Sequence, residues 1–404
     1  MGHRGKTTST ATTSTPRKTR LVGIDAARGL ALIGLAAIHI LPAFDPDTFS
    51  PTTQWTLFAG ASAAVFALLA GVGLAFTSGG RIPHQGPAMT ATRVALFVRA
   101  VLIASLGFGI NGFMPSPTPA VGILVYYGVF FLLAIPFLHF SAKMLFGWAG
   151  FFALAGPVLV HILRDALPAY ESASPTFIDL ATAPGATLAQ LLLTGTYPAL
   201  PFLAYLLAGL GLGRLDLGEI QVQAILLLVG AGLAVSAWLI YWVLILQAGG
   251  YDQLMAHTPA LSEEQIDEII TWGPDPTLPT TTWWWLLIPG PHTNTPIAVL
   301  QDLGTGVAVL GAFLLLTRAG KAWALPLAAM GSMTLTLYSA HLLALATEVH
   351  YDQRLLWFLV HLGVAVVFAL VWHKTLGQGP LERLVARAAA TTRRLVLSPG
   401  HRKP

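Results

Sequence analysis

The chain has 404 residues, of which 55% are hydrophobic and only 10% are charged. Soluble domains carry roughly 25% charged residues, so a soluble fold is excluded and most of the surface must face lipid. Cys is absent, which excludes disulfides, thiolate nucleophiles and cysteine metal sites. The net charge of +4 does not indicate nucleic-acid binding, because the basic residues lie in short loops and tails beside apolar segments.

In chain order, residues 1–20 come first, and their Thr and Ser content predicts a disordered cytoplasmic tail. Residues 21–376 are predicted to form an all-α membrane helix bundle of about ten transmembrane helices, each about 20 residues long. The predicted spans are 21–44, 55–77, 93–113, 119–139, 144–163, 196–213, 221–247, 298–317, 322–347 and 355–375. Two long outer loops, 164–195 and 248–297, interrupt them, and residues 377–404 are a predicted basic cytoplasmic tail.

The positions of the basic residues predict the orientation of the bundle. Of the 22 Lys and Arg residues, only Arg164 and Arg354 fall in predicted outer loops. Positive charge marks the cytoplasmic side of membrane proteins, so both termini are predicted to be cytoplasmic. We expect a multi-pass protein of the plasma membrane, and the short tails without Cys favour a bacterial one.

The first span contains three polar residues that share one helix face. Asp25 and Arg28 are three residues apart, and His39 follows Arg28 by eleven. At 100° per residue, eleven steps bring His39 to within about 20° of Arg28, roughly 16 Å nearer the outer surface. Ionisable residues inside a membrane are costly and usually face the bundle interior, so all three are candidate functional residues. A purely structural alternative is that Asp25 and Arg28 pair near the inner interface and His39 lies at the outer edge.

Before the eighth span, His292 and Asn294 belong to a polar stretch between Gly and Pro, which predicts a shaped turn near the bilayer. The ninth span carries a second polar face, formed by Thr334, Tyr338, His341 and Glu348. His341 rises roughly 27 Å from the inner end of that span and therefore reaches a depth like that of His39. These residues would bind an acceptor or support His39, or they would only form hydrogen bonds between helices.

The outer loop 248–297 is acidic at its centre and then contains Trp283, Trp284 and Trp285. The acidic part predicts a short amphipathic helix. The three indoles are typical of an anchor at the headgroup layer, with a substrate-stacking platform as the alternative.

Several motifs together resemble one family. They are GIDAARGLALIGLAAIH at 23–39, FAGASAAVFALLAGVGLAF at 58–76, YPALPFLAYLLAGLGLGRLDL at 197–217, GPHTNTP at 290–296, GSMTLTLYSAH at 331–341 and GPLERL at 379–384. In this order they resemble the membrane acyltransferases related to heparan-α-glucosaminide N-acetyltransferase. The spacing from Arg28 to His39 is also similar to the signature of the larger acyltransferase-3 group, and the last two motifs also resemble a neighbouring uncharacterised family of bacterial membrane proteins.

The resemblance implies transfer of an acetyl group from cytoplasmic acetyl-CoA to an extracytoplasmic sugar, glycan or glycolipid. For such an activity we expect catalytic roles for His39, Asp25 and His341, with His292, Asn294, Tyr338 and Glu348 as acceptor contacts. The basic residues expected to hold the phosphates of acetyl-CoA are Arg28, Arg81, Arg93 and Arg214. One departure is that the loop 43–54 lacks the His that the lysosomal enzymes carry there, so the histidine role falls on His39 through the acyltransferase-3 spacing.

Two other functions remain open from the sequence. One is a transporter or flippase for a small molecule or lipid-linked precursor, and the other is a non-catalytic scaffold subunit. Transporters commonly show repeated halves, and no internal repeat is evident, which favours the enzyme. No metal is expected, because the histidines lack carboxylates at ligand spacing. The expected partners are the lipid bilayer, acetyl-CoA and the acceptor, with a homo-oligomer left open.

Overall fold

The computed structural model describes residues 21–116, 118–275, 277–349 and 352–398. The predicted tail 1–20 and the end of the predicted basic tail, 399–404, lie outside the described residues. In chain order the helices are α1 (Val22–Ile40), α2 (Thr53–Phe58), α3 (Ala61–Thr77), α4 (Gly86–Asn111), α5 (Leu124–Ala134), α6 (Ala142–Leu163), α7 (Phe177–Thr182), α8 (Pro184–Ala189), α9 (Ala199–Leu212), α10 (Ile220–Tyr241), α11 (Gly250–His257), α12 (Glu263–Trp272), α13 (Pro296–Ala319), α14 (Leu325–Gly331), α15 (Thr334–Leu345), α16 (Arg354–Thr375) and α17 (Pro380–Leu397). The predicted all-α membrane bundle is confirmed.

Within the described ranges, seven helical stretches are long and apolar enough to cross a membrane, or nine if each of two bent pairs is one span. One pair joins Pro184–Thr194 to α9 with a bend of 49°, and the other joins α14 to α15 with a bend of 81°. A shorter apolar helix covers Leu124–His139. Each of the ten predicted spans coincides with one of these stretches, while the count of ten crossings stays a prediction.

Glycines allow the central helices to approach until their backbones touch. A Cβ on Gly331 of α14 would lie 1.7 Å from the carbonyl oxygen of Asp25, and one on Gly29 would lie 2.2 Å from that of Leu327. Helices α3 and α9 meet in the same way at Gly71 and Gly209. Small residues at such positions are typical of membrane bundles, where close van der Waals packing drives helix association.

The two ends of the bundle differ in charge. We call the end where α1 begins and α17 lies the basic end, and the end where α1 finishes and α12 lies the acidic end. At the acidic end α11, α12 and the segment before α13 surround a small apolar cluster that buries Leu254, Ile266 and Trp285. The predicted amphipathic helix is therefore α12, whose Ser262 forms a capping box with Gln265.

The three tryptophans at the acidic end do not form one surface. Trp285 is fully buried and donates its indole hydrogen bond to the Thr258 hydroxyl at 3.1 Å, whereas Trp283 is exposed and its ring contacts His161. The prediction that all three tryptophans form an interfacial anchor is therefore wrong for Trp285. A five-residue run of bulky apolar side chains, Trp283–Leu287, forms a single 3-10 helix, which turns successive side chains in different directions.

The segment assigned to a basic tail forms helix α17, which packs against α4 and α15. Val385 is buried, while Leu384 and Leu395 are exposed. Its polar N-terminal turn is held by Glu382, which accepts hydrogen bonds from the backbone N–H and the hydroxyl of Thr336. Sequence analysis did not predict this helix, because it lacks the continuous stretch of about 18 apolar residues that indicates a span.

Candidate active site

The polar face of α1 points into the bundle. Asp25 is buried, and its Oδ1 lies 3.3 Å from Nη1 of Arg28. Arg28 also donates from Nη2 to the carbonyl oxygen of Leu69 at 2.7 Å. The pairing suggested as a structural alternative is therefore present. It does not remove Arg28 from the functional candidates, because the same side chain lines a cavity.

A cavity of about 520 Å³ runs along α1 inside the bundle. This volume lies in the range of about 300–1,000 Å³ that is typical of small-molecule sites. Its walls come from α1, α3, α4, α5, the α14–α15 break and α17. The lining is mostly apolar, with side chains such as Leu74, Leu96 and Phe131, and it ends towards the acidic end at Leu35 and Tyr338.

Two more arginines, Arg99 and Arg393, line this cavity together with Arg28. Arg99 lies in the middle of α4, with its Cζ 5.2 Å from the centre of the Phe131 ring. Arg393 comes from α17 and is partly buried. Sequence reasoning missed both, since Arg99 is enclosed by apolar residues in the third span and Arg393 looked like one charge of a solvated tail.

The break between α14 and α15 opens at the cavity. Residues 332 and 333 leave the helical path, so α15 begins a new helix at Thr334. The first N–H groups of a helix lack intrahelical partners and attract negative charge. The Glu382 carboxylate occupies this position by accepting from Thr336 at 3.1 Å and 2.6 Å, so a residue of the chain itself caps the broken helix.

Three histidines meet one helical turn beyond the cavity. Nδ1 of His39 lies 3.1 Å from Nε2 of His341, and Nδ1 of His341 lies 3.2 Å from Nδ1 of His361 on α16. His341 is buried, while His39 and His361 are partly buried. The ring of Tyr338, which lines the cavity, lies 6.5 Å from that of His341 between centroids. The cavity and the histidines are therefore adjacent.

His361 was not singled out from the sequence. It is an isolated His in an otherwise apolar helix, and such a residue usually forms only a hydrogen bond between helices. The sequence of α16 alone does not indicate a role for His361, because its partner His341 lies on another helix, α15.

His292 and Asn294 lie in a shaped turn at the acidic end, as predicted. Both residues have left-handed backbone angles, with φ of 56° and 53°. Asn294 donates to the carbonyl oxygens of Thr196 and His292 at 3.2 Å and 2.9 Å. The His292 ring meets Tyr197 edge to face, and burial lowers the pKa of His292 to about 4. His292 is therefore neutral above this pH.

The other proposed residues are held elsewhere. Arg81 pairs with Asp216 at 2.6 Å, and Arg93 contacts Nδ1 of His139 at 3.2 Å. Arg214 is buried and donates to backbone carbonyls and the Ser78 hydroxyl at the basic end. Neither these three arginines nor the exposed Glu348, just past α15 with a φ of 58°, line the cavity.

The histidines do not form a metal-binding cage. His341 presents Nε2 to one neighbour and Nδ1 to the other, so the three rings do not converge on a common point. Across the described ranges no group of three or more His, Asp or Glu has the arrangement needed to hold a metal ion.

Comparison with protein families gives one match. The family described as heparan-alpha-glucosaminide N-acetyltransferase, catalytic, matches residues 20–244, which is more than half of the chain. The chain belongs to this family. A comparison with curated protein sequences gives no match.

Membership of the N-acetyltransferase family establishes the general class, a multi-pass membrane protein of an acetyltransferase family. The matched region contains α1, α3 and α4, and with them Arg28, His39 and Arg99. His341 and His361 lie beyond the matched residues. Their connection to the family region rests on the contact of 3.1 Å between His39 and His341.

Proposed function

We propose that the protein transfers an acetyl group from cytoplasmic acetyl-CoA to an extracytoplasmic sugar, glycan or glycolipid, in a bacterial plasma membrane. The observation that supports this most is the position of the cavity. It begins beside α17 at the basic end and finishes one helical turn from the contact between His39 and His341. The basic end is taken as cytoplasmic, following the distribution of Lys and Arg.

Acetyl-CoA is polyanionic at one end and apolar and thin along its pantetheine arm. In this proposal its phosphates bind Arg28, Arg99 and Arg393, because guanidinium groups form strong charge-assisted hydrogen bonds with phosphate. The pantetheine arm lies along the apolar wall towards Tyr338. Arg81, Arg93 and Arg214, which the sequence also suggested, would act only through long-range attraction, since none of them lines the cavity.

His39 and His341 are the proposed catalytic residues. A neutral imidazole accepts a proton at physiological pH, so His39 would take the proton of the acceptor hydroxyl or amine as that group attacks the thioester carbon. A new C–O or C–N bond forms and the C–S bond breaks. Transfer through an acetyl-histidine is the other route for the same residues. Asp25 acts one step away, by holding the Arg28 guanidinium at 3.3 Å.

The acceptor is proposed to approach from the acidic end. His292 and Asn294 form a rigid turn there, and Glu348 is exposed at the end of α15. Tyr338 lies between this end and the donor cavity, where its ring lines the wall. These four residues are the proposed acceptor contacts, and they offer the hydrogen-bonding groups that sugar hydroxyls require.

A transporter or flippase is the second candidate, and the broken helices favour it. Transporters often bind substrates where a half-helix N-terminus points at an anionic group. Here the α14–α15 break faces the cavity, but Glu382 already occupies the start of α15. This internal carboxylate places a negative charge at the start of α15, which disfavours an anionic substrate there, so the acetyltransferase accounts better for the cavity.

The test is incubation of purified protein with labelled acetyl-CoA and envelope extract, followed by identification of the labelled species. We expect a labelled sugar or glycolipid with the wild type and none with His39→Ala of normal thermal stability. Normal turnover by His39→Ala would contradict the catalytic assignment. Uptake of unmodified label into proteoliposomes, without any acetylated product, would favour the transporter.

A further inference from the structure

His361 has no role in the proposal above, although it contacts a proposed catalytic residue. Its Nδ1 lies 3.2 Å from Nδ1 of His341, which in turn approaches His39 through Nε2. The three rings come from three helices that are distant in sequence, α1, α15 and α16. Three imidazoles in a row are costly to place in a bundle facing lipid, since polar groups there need partners.

The geometry identifies the contacts as hydrogen bonds rather than stacking. The rings of His39 and His341 are nearly parallel, at 9°, yet their centroids are 5.4 Å apart while the nearest nitrogens are 3.1 Å apart. Rings stacked face to face at van der Waals distance would have closer centroids. The rings therefore meet edge to edge, where the nitrogen lone pair and the N–H lie in the ring plane.

The middle histidine uses both of its nitrogens. A neutral imidazole has one N–H donor and one acceptor nitrogen, so bonds to two neighbours give the row a direction. In one arrangement Nδ1–H of His39 donates to Nε2 of His341, and Nδ1–H of His341 donates to Nδ1 of His361. His39 then accepts through Nε2, and His361 carries its proton on Nε2.

We propose that the three histidines form a proton relay, in which His361 takes the acceptor's proton away from His39 through His341. When Nε2 of His39 receives a proton, Nδ1–H of His39 passes one to Nε2 of His341. Nδ1–H of His341 then passes one to Nδ1 of His361, and Nε2–H of His361 releases one. The same number of protons enters and leaves, and each ring finishes as the opposite neutral tautomer.

The relay completes one acetyl transfer without any further reagent. The row returns to its starting tautomers when Nε2 of His361 takes a proton from water, the protons move back along the row, and Nε2–H of His39 releases one to water. The C–O or C–N bond forms, the C–S bond breaks and the CoA thiolate leaves. The thiolate then takes a proton from cytoplasmic water, because a free thiol with a pKa near 8.5 is mostly protonated at neutral pH. His361 lies seven residues into α16, about 10 Å along the helix from its start at the acidic end. A released proton therefore has a short path to that surface.

This inference rests on the proposed function, and His361 acts as a positioning and relay residue, since it does not touch the reacting atoms. We would measure acetyl transfer with labelled acetyl-CoA and envelope extract for the wild type, His361→Gln and His361→Ala, each checked by thermal unfolding. His257→Gln is the matched control, because His257 is an exposed His of α11 whose ring bonds the carbonyl oxygen of Gln253 in the same helix.

We expect kcat to fall about tenfold or more in both His361 variants, with little change in KM for acetyl-CoA, as is typical when an acid–base group is removed. Imidazole added to His361→Ala should restore several-fold activity, whereas a merely structural His would not respond to imidazole. We would also measure the wild-type rate as a function of the fraction of heavy water. A curved dependence is expected, because it indicates that more than one proton moves in the rate-limiting step.

The outcomes separate the relay from the function. If the wild type transfers no acetyl group, the proposed function fails. If the wild type is active and His39→Ala is not, but His361→Gln retains the full rate, the relay is refuted. A wild-type rate that depends on a single proton also refutes it, and this measurement does not require a folded variant.

Discussion

Replacing Arg99 by Gln tests how the donor is bound. The substitution removes a guanidinium from the wall of the 520 Å³ cavity and leaves a shorter, uncharged polar side chain. A hydrogen bond to a charged group contributes about 1.5–3 kcal/mol. Since 1.4 kcal/mol corresponds to a factor of ten, the Kd for acetyl-CoA should rise roughly 10- to 150-fold.

The same helix supplies a matched control. Arg93 lies six residues earlier on α4, contacts His139 and does not line the cavity. Arg93→Gln should therefore change the Kd less than about threefold. Both variants would be titrated with acetyl-CoA by calorimetry in detergent at fixed ionic strength, because phosphate binding weakens with salt.

Arg99 also contacts the Phe131 ring, at 5.2 Å. Such a cation–π contact contributes about 0.5–2 kcal/mol to stability, so thermal unfolding must be followed alongside binding. Unchanged donor affinity in a folded Arg99→Gln protein would refute this assignment of the donor site. A large loss of acetyl-CoA affinity in Arg93→Gln but not in Arg99→Gln would indicate that the donor binds at the surface of the basic end.

Three further predictions follow from particular contacts. Gly331→Ala should lower the free energy of unfolding by about 1–3 kcal/mol, because its Cβ would overlap the α1 backbone, whereas Gly363→Ala has open space and should change stability little. Glu382→Ala should destabilise the protein by about 1–3 kcal/mol and Glu382→Gln by less, as the amide retains an acceptor for Thr336; equal losses in both would contradict the capping role. His292 stays neutral in the folded state down to about pH 4, whereas in the unfolded state it binds a proton near pH 6.5. The free energy of unfolding should therefore fall by about 1.4 kcal/mol for each pH unit as the pH is lowered from 6.5 to 4. His292→Asn, which tolerates the left-handed backbone, should remove that part of the pH dependence of thermal unfolding; an unchanged dependence would contradict the burial of His292.

Helix positions were predictable because hydropathy alone decides them in a chain with 10% charged residues. The depth of side chains was also predictable, since a helix rises by 1.5 Å per residue. The similar depth expected for His39 and His341 agrees with their contact at 3.1 Å. Their catalytic role stays a prediction.

What the sequence did not reveal depends on which helices are neighbours. His361 has a partner only because α16 packs beside α15, and Arg99 reaches the cavity only because α17 closes it. The neighbours of a helix leave no signal in its local sequence pattern. The 81° bend was also missed, although it falls at the pair Gly331 and Ser332, a combination at which helices often kink.

The most direct test of the account uses sealed vesicles that contain the protein in one orientation. Labelled acetyl-CoA is supplied only at the face that carries the basic end, and the acceptor only at the opposite face. The account predicts acetylated acceptor with the wild type and none with His39→Ala. Product that forms only when donor and acceptor share one side, or equal product from His39→Ala, would contradict transfer through the bundle.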